Sequence, residues 1–391
     1  MTFSLSTNNV LEYLVTQKIC TKLEPKPSEI ELKEAKNFNL LLNWQSGRQL
    51  LVKQERINRE GKTIGEFFNE WRLQELLQQF PELNHIRTLI SEVLHFDKNY
   101  SIIVFNYLDK YFDLTDLYTE KEEFPTTIAS LIGKVLSTIH RTTFNNQEYQ
   151  NFFLEDSEDI VVNEALHLSL GLEQISPEIF GHIPADGIKF LVLYQRYDSL
   201  GKAILDLSAA FNPCCVTHND LKLNNILLHN NWEQDNFSQD EISLIRFIDW
   251  ERSSWGDPAS DLGTVISSYL QFWLGSLVVS KSININESLS LAVIPLEKIQ
   301  PSITAVTQAY FDNFPEIIQH RPDFLKRVVQ FAGLALINRI QAMLHYEKSF
   351  GNAGICMLQV AKSLLCRPEQ SIYTVFGVTE AELTNSNFIL A

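Results

Sequence analysis

Residues Val216–Leu228 read VTHNDLKLNNILL, and residues Ile248–Leu262 read IDWERSSWGDPASDL. In the first stretch His218, Asp220 and Asn225 follow the pattern His-x-Asp-(x)4-Asn. In the second, Asp249 ends a short apolar run and is followed by Asp257, Pro258 and Asp261. Phosphoryl transfer needs an acid to take a hydroxyl proton, and an oxygen ligand with a second carboxylate to hold magnesium on nucleotide phosphates. Asp220, Asn225 and Asp249 are the right residue types, in the right order, for those three tasks.

Working outward, Asn225 to His229 predicts a short strand. The polar run 230–241 predicts a turn, and Ser243 to Ile248 a returning strand. In an antiparallel hairpin the start of one strand lies beside the end of the other. Asn225 and Asp249, 24 positions apart (249 minus 225), are then neighbours, as a shared metal requires.

The two motifs resemble those of the aminoglycoside phosphotransferase and choline kinase family, the protein-kinase-like small-molecule kinases. The family signatures are similar to HGDLHPGNIL and IDWExxxxGDPxxDLA; here they stand as HNDLKLNNIL and IDWERSSWGDPASDLG. The resemblance implies an α+β, bilobal protein-kinase-like fold: a small antiparallel-sheet N-lobe with one main helix over 1–108, and a larger, mostly helical C-lobe over 109–391. It makes Asp220 the catalytic base and Asn225 and Asp249 the ligands of Mg2+. Asp257 and Asp261 support the catalytic loop, and His218 shapes it. ATP is the expected donor. A pseudokinase that keeps only the shape is the opposing reading.

Composition bounds this picture. The chain has 391 residues, 45% hydrophobic and 20% charged, an ordinary globular balance. A net charge of −16 argues against nucleic-acid binding, which needs basic surface. Five cysteines, an odd count without metal-like spacing, suit a reducing, cytoplasmic setting. The opening MTFSLSTNNV has neither a basic region nor a long apolar core, so no signal peptide is expected. Thr264–Ser280 is apolar but short for a membrane span, and predicts a buried helix.

The first part of the chain reads as a short helix within Ser6–Ile19, two strands around a turn at Lys33–Asn37, and a third strand, Gln49–Gln54. In kinase-like folds that turn covers the nucleotide phosphates. Here it lacks glycine, and Asn37 or Asn39 is expected to serve instead. Lys53 ends the apolar run LLV and is expected to reach the phosphates. Glu70, on a helix over Gly65–Phe80, is expected to hold it; Glu66 is the alternative. Arg87–Leu94 and Tyr100–Leu108 predict strands four and five. By resemblance, the backbone of Asn106 and Leu108 binds the adenine edge, with Tyr107 near it or simply packing. Asp113 and Asp116 follow as ribose or acceptor contacts, or as helix caps.

Pro125–Thr143 predicts the central helix of the larger lobe, with His140 packed or capping. An insertion, 145–213, predicts helices at Ile160–Leu172 and Phe190–Phe211. Its acids Glu155, Asp156, Glu158 and Asp159 read as a solvated helix start or as part of an acceptor pocket. Further helices are expected over Ser260–Ser280, Leu296–Phe311, Phe324–Tyr346 and, last, Ala353–Leu365. Arg339 is a candidate partner for Asp261. Lys222 is a candidate phosphate contact or a solvated lysine. Only seven residues, 250–256, separate Asp249 from Asp257, too few for a protein-kinase activation segment. A small-molecule hydroxyl is therefore the favoured acceptor, with a flexible precursor peptide as the alternative.

Overall fold

The computed structural model describes residues 3–33, 35–56, 63–155, 184–233, 241–278, 280 and 282–384. The expected helix Ile160–Leu172 and the acids at 156, 158 and 159 lie outside them. The chain forms two compact units, Met1–Leu114 with Asn225–Ser253, and Thr115–Asn224 with Ser254–Ala391.

The first unit holds a five-stranded antiparallel sheet of β1 (Glu29–Lys33), β2 (Phe38–Asn43), β3 (Gln49–Gln54), β4 (Val93–Asp97) and β5 (Ile102–Asn106), in the order β1-β2-β3-β5-β4. Strand alternation sends successive side chains to opposite faces. Leu50 and Val52 of β3, with Leu40, Leu42, Ile102 and Val104, pack on the Val10–Thr16 helix. On the other face Ile103 and Phe105 pack with Phe67 of the Glu66–Gln79 helix. Each such buried side chain contributes roughly 1.5–3 kcal/mol, so both faces hold the register. A one-residue slip would put Lys53 into the wrong core.

The helix start has an unexpected cap. Gly65 offers no side chain, and the Glu55 carboxylate instead accepts from the Gly65 and Phe67 N–H groups at 2.8 and 2.7 Å. The fourth strand also departs from expectation. Asn84–Arg87 is helical, and the strand begins only at Val93. The apolar pair Leu89–Ile90 is taken elsewhere: Phe247 N–H donates to the Leu89 carbonyl at 2.8 Å, and Ser91 N–H to the Phe247 carbonyl at 3.2 Å.

Phe247 belongs to a second sheet of the same unit, β6 (Tyr111–Asp113), β8 (Ile226–His229) and β9 (Ile245–Phe247), ordered β6-β8-β9. This is the expected hairpin, with Ile226 opposite Phe247.

The second unit is mainly helical. Thr126–Thr143 packs on Leu296–Asn313, Pro258–Gly275 on Phe324–Ala342, and the latter on Asn352–Cys366. A small ribbon joins β7 (Cys215–Thr217) to β10 (Ser254–Gly256). A Cβ at Gly256 would run into the Thr217 hydroxyl, so glycine is needed there. Two helix expectations need correction. Phe190–Phe211 breaks at Arg196–Tyr197 into Ala185–Gln195 and Asp198–Ala209, and Asn352–Cys366 is followed by Pro368–Phe376 and Glu380–Thr384. The Pro258–Gly275 helix is buried, as its apolar stretch predicts. Among the described residues no helix is long and apolar enough to cross a membrane.

Candidate active site

In the sheet unit, β8 and β9 bring the backbones of Asn225 and Ile248 together, with Ile248 N–H donating to the Asn225 carbonyl at 3.0 Å. Asp249 follows at once, in the left-handed region at φ 61°, a conformation that aspartate tolerates better than most residues. Its Oδ1 forms an ion pair with Lys53 Nζ. The strand position of Lys53 and the hairpin position of Asp249 thus meet across 196 residues of chain.

Glu70 lies in the same neighbourhood but makes a different contact. Its Oε1 accepts from the Ser91 hydroxyl at 3.2 Å, and its buried Oε2 has no hydrogen-bond partner. Burial pushes the Glu70 carboxyl up to about 8; Lys53 opposes this and Asp249 reinforces it. Burial alone would lower the Lys53 ammonium, but Asp249 and Glu70 outweigh it and hold that pKa above its ordinary value. Lys53 is therefore a cation bonded to Asp249, beside a buried Glu70 whose carboxyl is raised well above the usual carboxylate range.

The glycine-free turn between β1 and β2 is held by charge. Lys36 Nζ pairs with Glu66 in the first turn of the Glu66–Gln79 helix, and lies 3.6 Å from Glu251 Oε1. Arg252 approaches Glu66 at 4.0 Å. The segment after Asp249 is tied to the same helix: Asn69 Nδ2 donates to the Glu251 carbonyl at 3.1 Å, and Ser253 Oγ to the Asn69 carbonyl at 3.2 Å. Burial raises the Glu251 carboxyl, with Glu66 adding to the effect and Lys36 opposing it. The Asn39 Oδ1 is buried without a hydrogen-bond partner. At the end of β5, Asn106 N–H donates to the Glu92 carbonyl at 3.1 Å and Tyr107 N–H to the Gln49 carbonyl at 3.1 Å. The Leu108 carbonyl accepts from Tyr111 N–H at 3.1 Å.

The helical unit holds the Asp220 loop. Asp261, fully buried, accepts from the backbone N–H groups of His218 at 2.7 Å and Asn219 at 2.8 Å. His140 Nε2 lies 3.2 Å from the same carboxylate, and its Nδ1 lies 2.9 Å from the Tyr310 hydroxyl. A carboxylate only accepts, so Nε2 donates to Asp261, while Nδ1 shares a hydrogen bond with the Tyr310 hydroxyl. Asn219 sits at φ 62° and donates to Ser254 Oγ at 2.8 Å. The His218 ring accepts from Asp220 N–H at 3.4 Å. Lys222 Nζ reaches both Asp220 oxygens, at 2.7 and 2.9 Å.

Asp257 caps the Pro258–Gly275 helix through Ala259 N–H at 3.0 Å, and accepts from Asn212 N–H at 3.0 Å and Arg321 Nη1 at 2.6 Å. Burial raises its carboxyl against the pull of Arg321. The expected Arg339 contact is not made: Arg339 pairs with Glu347 at 3.0 Å, whereas Asp261 is committed to His140 and two backbone amides. Sequence reasoning missed Arg321, Tyr310 and Lys36. Arg321 and Tyr310 lie far along the chain from their partners with no periodic signal. Lys36 was detectable as the cation in the glycine-free turn.

The family model described as "Phosphotransferase enzyme family" (APH) matches residues 37–280. Among solved structures, the streptomycin–ATP–APH(2'')-IIa ternary complex is similar with a TM-score of 0.50 at 14% identity, covering 91% of this chain and 99% of that one. A choline/ethanolamine kinase family protein from Mesorhizobium loti has a TM-score of 0.48 at 17% identity, covering 95% and 99%. No curated protein matches the sequence.

Proposed function

This chain belongs to the phosphotransferase enzyme family, and we propose that it moves the γ-phosphoryl group of ATP to a hydroxyl of a small molecule. The observation that carries this reading is the Lys53–Asp249 ion pair at the foot of the Asn225 hairpin. It joins the lysine we read as the phosphate contact to the aspartate we read as a metal ligand.

Asp220 takes the proton of the acceptor hydroxyl. The acceptor oxygen bonds to the γ-phosphorus as the bond from phosphorus to the β–γ bridging oxygen breaks, with ADP leaving. Asp261 and the His218 ring fix the loop that carries Asp220. Lys222, bound to Asp220, restrains that carboxylate and moves to phosphate when the nucleotide enters. Asn225 and Asp249 offer an amide oxygen and a carboxylate, hard donors that suit magnesium. The ion, when bound, supplies charge neutralisation for the phosphates.

Lys53 places the phosphates. Glu70, buried nearby and bonded to Ser91, offers the ammonium a second carboxylate. Lys36 stands in the turn that lacks glycine amides and supplies positive charge over the phosphates in their place. The carbonyl of Asn106 and the N–H of Leu108 meet the adenine edge. The Asn106 N–H is already given to Glu92.

A small acceptor is supported by the chain after Asp249. Ser253 N–H closes a turn onto Trp250, residues 254–256 form β10, and Asp257 caps the next helix. That leaves no length for a segment that would dock a folded protein substrate. ATP as donor suits the cytoplasmic setting read from the sequence.

Labelled ATP and magnesium, with a panel of amino alcohols, aminosugars and Ser/Thr peptides, tests the reading. Transfer to a small hydroxyl compound that disappears in Asp220→Ala is expected. Transfer to peptides alone, or nucleotide binding without turnover on any acceptor, would overturn it.

A further inference from the structure

Two cavities flank the Asn352–Cys366 helix in the helical unit, and neither is lined by a residue given a role above. One has a volume of about 400 Å3. Its walls include Leu193, Leu200, Ile355 and Leu358, and it is also lined by Arg196, Lys362 and Arg367. The lining carries these three cations and no carboxylate, in a chain of net charge −16. Lys362 Nζ lies 3.1 Å from the centroid of the Tyr197 ring, and the Arg196 guanidinium 5.8 Å from it. Among the described residues none of the three is paired with an acid. The aromatic face holds two of them over the apolar wall, an arrangement that cation–π attraction favours.

The other cavity, about 430 Å3, is lined by Leu270, Trp273, Leu274, Leu277 and Leu296. Gln359, Ser363 and Arg367 line both cavities, so the two share one edge of the helix as a common border. Each volume is that of a small-molecule site. Arg196 and Lys362 lie on one side, a leucine-rich hollow on the other, and Arg367 stands in the polar rim shared between them.

We infer that the paired cavities bind a single-chain amphiphile with an anionic head, a carboxylate or phosphate held by Arg196, Lys362 and Arg367, and an aliphatic chain laid into the leucine-lined hollow. The bidentate fork of arginine suits such a head group, and burial of the chain supplies the non-directional part of the affinity. A cationic or neutral ligand would leave the three charges unanswered; a short anion would leave the hollow unfilled. This site is independent of the phosphotransfer reading.

The test is calorimetric titration of the intact protein with laurate below its micellar concentration, with acetate and decyl glucoside as controls. One laurate per chain is expected, weakened by salt, with neither control competing. Arg196→Gln combined with Lys362→Gln should weaken laurate by about tenfold or more, as loss of charge-assisted contacts does. Ser363→Trp, which fills the shared rim from an exposed position, should abolish binding while thermal unfolding stays unchanged. A second arm offers dodecyl phosphate below its micellar concentration. Binding tighter than laurate that the double variant loses assigns a phosphate head; laurate binding the tighter assigns a carboxylate. Absence of saturable laurate binding, equal binding by both variants, or displacement by acetate overturns the proposal.

Discussion

The carboxylates of the sheet unit and those of the helical unit differ in how fully they are satisfied. Asp257 and Asp261 are wholly buried, and each takes three or more donors: amides, an arginine and a histidine. Nothing about them is left to change. In the sheet unit, Asp249 keeps 37% side-chain exposure and forms an ion pair with Lys53. Glu70 buries an oxygen with no hydrogen-bond partner, and Glu251 is raised by burial beside Glu66. A buried polar atom without a partner costs about 1–3 kcal/mol. Such a cost persists where a ligand later supplies the contact. The helical unit uses acids to fix a loop; the sheet unit keeps acids and cations that can be redistributed.

The largest effect is expected where the fixed loop presents its one half-open acid. Asp220→Ala should lose turnover by about a thousandfold, near 4 kcal/mol of barrier, with ATP affinity by calorimetry little changed. Residual activity within tenfold of the parent would remove Asp220 from the chemistry and with it the reason for fixing the loop.

Next comes the same chemical change made in both units. Arg321→Met strands a fully buried Asp257, and should cost about 3–5 kcal/mol in urea unfolding. Lys53→Met removes the cation beside an Asp249 that solvent reaches. Its stability loss should be much the smaller, and its effect should fall on the KM for ATP. Equal stability losses would erase the distinction between fixed and redistributable acids.

How far these two networks show in the sequence follows the same division. The hairpin of Asn225 and Asp249 is legible because its strands are consecutive and Ile226, Leu228, Ile245 and Phe247 alternate with the pleat. Lys53 is legible because it closes the apolar run LLV, and in the strand it faces away from the buried Leu50 and Val52. The loop acids are legible as a motif, but their partners are not. Asp257 and Arg321 are 64 residues apart, and His140 and Tyr310 are 170 apart. No local pattern encodes which helices will bring them together, and so Arg339 was a reasonable but wrong candidate. The fourth strand slipped for a related reason. Leu89 and Ile90 look like strand residues and do pair with a strand, but with β9 rather than β5. Glu55 capping a helix ten residues ahead is equally invisible, because the intervening chain sets the distance.

A pH experiment sharpens the comparison further. Glu70 has its carboxyl raised to about 8 from an ordinary 4.5. Between those values the folded protein holds a proton that the unfolded chain has released. By linkage its contribution to stability is fully present below about 4.5 and is lost as pH rises through about 8. Glu70→Gln removes that term. The melting temperature of the nucleotide-free variant should therefore fall less between pH 5 and pH 8 than that of the parent. Parallel melting curves for the two proteins would show that Glu70 is not held protonated.

The smallest effect tests the turn between β1 and β2. Lys36 is 42% exposed and its ion pair with Glu66 is a surface one, so Lys36→Ala should change stability by less than about 1 kcal/mol. If the lysine substitutes for glycine amides over the phosphates, the same variant should bind ATP about three- to tenfold more weakly, a loss near 1 kcal/mol. AMP affinity should be unchanged, because it lacks the outer phosphates. The ATP loss should also shrink at high salt, where exposed charges are screened. Equal weakening of ATP and AMP would mean that Lys36 acts only by shaping the sheet. No change in either would return the pair with Glu66 to the class of ordinary surface contacts, and place the cover of the phosphates on Asn37 or Asn39.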